Sequence, residues 1–105
     1  MLIQINTDRN IKGNNALAQQ VEAELRNTLD RFSEHITRVE VHLSDEDSDK
    51  KFGTHDKRCL LEARIAGLQP ISVSHQAETL EQAVEGAVKK LKRSLESTLG
   101  RLRNR

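Results

Sequence analysis

The feature that most limits what this chain can fold into is a double change in hydrophobic period. From Thr37 to Ala77 the apolar residues fall on alternate positions: Val39, Val41, Leu43; then Cys59, Leu61, Ala63, Ile65; then Ile71 and Val73. On either side they recur every third or fourth residue. Leu17, Val21, Leu25, Leu29 and Phe32 form one such set, and Leu80, Val84, Val88, Leu91, Leu95, Leu99 and Leu102 the other. A period of two puts side chains on one face of a strand, and a period of 3.6 puts them on one face of a helix. The alternation is one-sided, so each strand needs cover on one face only, and two amphipathic helices can provide it.

The boundaries follow from punctuation. Leu2–Asn6 alternates as a short strand, with Ile3 and Ile5 on one face, and 8–15 reads as a polar loop. Asn14 or Asn15 is placed to cap a helix from Ala16 that should end near Ser33–His35. Strands are expected over Thr37–Ser44, Arg58–Ala66 and Ile71–Ala77, with Gly67 to Pro70 turning the last two into a hairpin. Thr79 and Gln82 fit a capping box at the start of the second helix. The order is β-α-β-β-β-α. It predicts an α+β two-layer sandwich, a four-stranded mixed sheet with both helices on one face. The first two strands should be parallel neighbours joined by a right-handed crossover. The other sheet face would present Gln4, Arg38, Glu40, His42, Arg58, Leu60, Glu62, Arg64, Ser72 and Ser74 to solvent.

A chain of 105 residues is expected to form one domain, 1–105, with 100–105 as a frayed basic tail. With no Trp, no Tyr and two Phe, the core must be aliphatic. No apolar run approaches the roughly 20 residues that span a bilayer. The N-terminus lacks a basic segment followed by an apolar one, so no membrane partner is expected and the cytoplasm is the default compartment. The single cysteine, Cys59, rules out an internal disulfide and a thiolate zinc cluster.

Charge is distributed unevenly. Residues 88–105 carry seven basic side chains and one acid, while 1–87 carry ten basic and fifteen acidic, so the formal net charge of +1 splits into +6 and −5. Turning the last helix about 100° per residue from Val84 puts Lys89 near 140°, Arg93 near 180°, and Lys90 and Arg101 near 240–260°. The leucine stripe stays within about 60° of zero. The cations Lys89, Lys90, Arg93 and Arg101 can therefore face solvent while the helix packs, and Lys92 belongs to the same basic run. Two readings stay open on residues alone: a contact for nucleic acid, or an ordinary surface helix whose cations suit the negative end of its dipole.

Other candidates are weaker. Asp45-Glu46-Asp47-Ser48-Asp49 begins like a calcium loop but has Lys50 where glycine is needed and Asp56 where the closing glutamate belongs. It reads as a solvated loop reaching Lys57, with Phe52 either folded on the core or turned to a partner. His35, His42, His55 and His75 show no pair at ligand spacing, and neither metal nor cofactor is expected. Cys59 faces inward, where a nucleophile would be unreachable, so no enzymatic activity is expected. On the sheet face Arg38, His42, Arg58 and Arg64 are secondary candidates for RNA contact, with cross-strand pairing to Glu40 and Glu62 as the plain alternative. Exposed Leu60 keeps open a competing use of that face, a protein–protein module that dimerises through its open sheet.

The element order, the strand Val39-Glu40-Val41-His42-Leu43-Ser44, and the final helix with Ala83-Val84 and Lys90-Leu91-Lys92-Arg93-Ser94-Leu95 together resemble the ribosome hibernation factors. These are also called ribosome-associated translation inhibitors, or the sigma-54 modulation protein family, here in a short form. The resemblance spans nearly the whole chain. It implies a double-stranded-RNA-binding-like fold and a non-enzymatic factor of the cytoplasm. Such a factor occupies the messenger and transfer-RNA channel of the small ribosomal subunit and represses translation in stress or stationary phase. The implied partner is small-subunit ribosomal RNA, met by a monomer or weak homodimer. Lys90 and Arg93 fall on the family's basic helix positions, and Lys89 and Lys92 extend them. The chain departs from the pattern at Glu81, where many members carry an aromatic residue, and in its long acidic loop.

Overall fold

A computed structural model shows the architecture. It describes residues 1–8, 11, 15–45 and 56–103, with side chains through 100. The elements are β1 (Leu2–Thr7), α1 (Asn15–Leu29), a 3-10 turn (Asp30–Phe32), β2 (Ile36–Asp45), β3 (Lys57–Ile65), β4 (Ile71–Ala77) and α2 (Leu80–Arg103). Strand order is β1-β2-β3-β4. β1 and β2 run parallel, and the two later pairings are antiparallel. This is the α+β arrangement expected from the periodicity.

Register sets the inward face. Ile3, Val39, Ala63 and Ile71 share one row, and Ile5, Val41, Leu61 and Val73 the next. Leu43, Cys59 and His75 continue it. Against this face pack Val21, Leu25 and Leu29 of α1 and Val84, Val88, Leu91, Leu95 and Leu99 of α2, all buried. No polar or charged residue is buried among those described. Desolvation therefore favours the layered state.

Four local features refine the boundaries. The first helix ends at Leu29, and the chain tightens into the 3-10 turn, which buries Phe32 and places Arg31 4.7 Å from its ring centroid. β2 starts one residue early, with a register shift between Ile36 and Arg38, and the Thr37 hydroxyl donates to the Arg64 carbonyl at 3.1 Å. Gly67, at φ +76°, makes the tight turn between β3 and β4, a conformation that costs glycine nothing. The Thr79 side chain accepts the Gln82 N–H at 3.1 Å, so the forward half of the expected capping box opens α2. Asn15 is the first residue of α1, while Asn14, the other candidate for its cap, and Phe52 lie outside the described residues.

Candidate nucleic-acid interface

α1 and α2 run in the same direction. Leu17, Gln20, Val21 and Glu24 line one groove with Glu81 and Val84, about 220 Å³ in volume. Further along, Arg31 meets Glu96 at 3.6 Å. The layer they form is acidic at its N-terminal end, through Glu24, Glu81 and Glu85, and cationic beyond, through Lys89, Lys90, Lys92 and Arg93. Burial and the charge of Glu85 raise the Glu24 pKa, and Lys89 opposes them.

The cations there differ in how they are held. Lys89 reaches Glu85 at 3.5 Å, one turn back, with 70% of its side chain exposed. Lys90 donates from Nζ to the Ser74 carbonyl of β4 at 2.8 Å. Lys92 is half-buried and Arg93 exposed, and neither has an ion-pair partner among the described residues. An exposed Lys–Glu pair is worth only a few tenths of a kcal/mol, so a phosphate can take Lys89 from Glu85 at little expense. The backbone of Arg101 belongs to α2, but its side chain lies outside the described residues.

The sheet-face candidates lie on the opposite side of the molecule, so the two sets do not form one surface. Arg38 is half-buried, donating to Gln4 Oε1 at 2.5 Å and pairing with Glu40 on its own strand. Arg64 pairs with Glu62 at 3.9 Å, again along one strand. The ion pairs of Arg38 and Arg64 run along the strand, not across it as expected. Register sets Arg38 opposite Arg64 and Glu40 opposite Glu62, so each charge is balanced by its neighbour two residues away. Arg58 is half-buried, and His42 is exposed opposite Leu60. Leu2 is the large apolar residue most exposed on this face, at 62%.

Cys59 is fully buried, and burial with the nearby Glu24 charge pushes its thiol up to about 12. It is a core residue with no thiolate to offer at neutral pH. At the mouth of the acidic loop, Lys57 holds Asp45 at 3.3 Å and Asp56 at 3.2 Å. Sequence reasoning overlooked His75 as an inward residue, although the alternation Ile71, Val73, His75, Ala77 marks it.

Solved structures with this fold include the Protein Y N-terminal domain of Thermus thermophilus, at TM-score 0.75 and 21% identity over 93% of this chain and 99% of that one. A ribosomal subunit interface protein from Coxiella burnetii aligns at TM-score 0.73 and 16% identity, over 95% and 99%. No curated protein sequence matches the chain. The sequence pattern described as sigma 54 modulation protein / S30EA ribosomal protein matches residues 3–103. With that match across both helices and all four strands, the chain belongs to the sigma 54 modulation protein / S30EA ribosomal protein family.

Proposed function

We propose that this protein binds small-subunit ribosomal RNA through the second half of α2, occupies the messenger and transfer-RNA channel, and represses translation without chemistry. The observation that carries the reading is the division of labour around α2. An unbroken apolar stripe holds the helix to the sheet, while Lys89, Lys90, Lys92 and Arg93 stand outside it. The apolar stripe supplies the packing, and Lys90 adds one bond from α2 to the Ser74 carbonyl of β4.

Family membership and the Coxiella burnetii neighbour's description as a ribosomal subunit interface protein support the ribosome as the source of that anion. Lysine and arginine neutralise phosphates and release counterions, so affinity falls steeply with salt. Contact with about five phosphates gives a logarithmic slope near −3.5 on the single-strand scale. Arg93 adds a forked contact that lysine cannot make. With no Tyr or Trp, base stacking on sheet aromatics is not available, and recognition follows shape and phosphate position. Arg101 extends the same contact, and Arg38, His42, Arg58 and Arg64 are secondary contacts for RNA passing the sheet face.

The test is equilibrium binding to small-subunit RNA across a salt series. Lys89, Lys90, Lys92 and Arg93 changed together to Gln should weaken binding and flatten its salt dependence, with the circular dichroism unchanged. A slope equal to the parent's would move the contact to another surface.

A further inference from the structure

The charges of this sheet are placed in an unusual way. The two inner strands carry them: Arg38, Glu40 and Asp45 on β2, and Lys57, Arg58, Glu62 and Arg64 on β3. The edge strands β1 and β4 have no Lys, Arg, Asp or Glu. Sheet proteins commonly place charge on the edge, where it deters pairing with another chain. Here the cation beside each edge comes from a helix. Arg26 of α1 donates to the carbonyl of Met1, just before β1, at 3.3 Å, and Lys90 of α2 donates to the carbonyl of Ser74 in β4 at 2.8 Å.

The Lys90 bond shows which way β4 faces. A strand residue turns its N–H and C=O to the same side, alternating along the chain. Ser74, reached by Lys90 from outside the sheet, therefore presents both groups at the outer edge, while its neighbours Val73 and His75 turn theirs toward Leu61 and Cys59 of β3. We propose that Lys90 guards the β4 edge, and that the edge it covers is a strand-pairing surface for a second copy of this chain. Two β4 strands meeting antiparallel and centred on Ser74 would each accept the other's N–H, with no like charges brought together. Such a contact is self-complementary and closes as a twofold dimer. Lys90 occupies the central acceptor and sets an ammonium beside its own copy across the axis.

The inference is tested without RNA, by sedimentation velocity over a concentration series. Lys90→Ala should form a dimer at concentrations at least about tenfold below any at which the parent does, because two Lys90–Ser74 bonds, one in each copy, and one repulsion no longer oppose it. Lys90→Arg keeps a donor and a charge and should behave as the parent. Adding Ser74→Pro to Lys90→Ala removes the edge N–H without taking a bond from β3, and should return the protein to a monomer. A Lys90→Ala protein that associates no more than the parent overturns the proposal. So does a dimer that persists with Ser74→Pro, because its contact must lie elsewhere.

Discussion

A Cβ added at Gly86 would lie 2.1 Å from Cδ2 of His75, so α2 rests on β4 at a distance that only glycine permits. The stripe of leucines says which face of α2 is buried, and this contact says how closely it can sit. His75 is inward, paired across the sheet with Cys59, and its ring fills the space beneath the helix.

Gly86→Ala should therefore destabilise the fold by about 1–3 kcal/mol, the usual cost of forcing atoms into a packed core, despite alanine's helix advantage of about 1 kcal/mol. Thermal unfolding checks it. His75→Ala in the same chain should recover much of the loss, because the two changes share one contact. A Gly86→Ala protein as stable as the parent would mean that α2 sits higher than described.

Cys59 should make stability fall with alkalinity. Its thiol pKa is raised from 9.0 to about 12 by burial, so above 9.0 the unfolded chain ionises while the folded chain does not. The loss should approach about 1.4 kcal/mol per pH unit through that window and vanish below it. Cys59→Ala should lack this component when denaturant midpoints are compared at neutral pH and near pH 10. The native thiol should also resist alkylation until the protein unfolds.

Glu24 works in the opposite pH range. Burial and Glu85 raise its pKa above 4.5, so the fold favours its protonated form, and that preference is lost as pH rises through the folded value. Glu24→Gln should be slightly more stable than the parent at pH 7, by a few tenths of a kcal/mol given its contact with water. Near pH 3 the gain should be absent. Paired melts at the two pH values decide it.

The elements were legible because each is encoded locally. The alternation from Thr37 to Ser44 located β2 to within one residue at each end, and Thr79 marked the start of α2 by its own hydrogen bond. The helix order and the open sheet face followed from one-sided burial. What was not legible depends on how elements meet. The first helix was expected to run to Ser33–His35, but the burial of Phe32 draws the chain into a tighter turn after Leu29. The register shift at Ile36 and Arg38 sets like charges opposite each other, which no single strand reveals. Helical phasing placed Lys90 outside the core correctly, yet its bond to Ser74 depends on where α2 lies across the sheet.

The central claim is that Lys89, Lys90, Lys92 and Arg93 hold this protein on the small ribosomal subunit. Sucrose-gradient sedimentation of cell lysate at low salt tests it most directly. The protein should travel with small subunits or idle ribosomes, leave them as salt is raised, and stay near the top when those four residues are Gln. If the parent protein remains at the top of the gradient at low salt, the ribosomal account is contradicted.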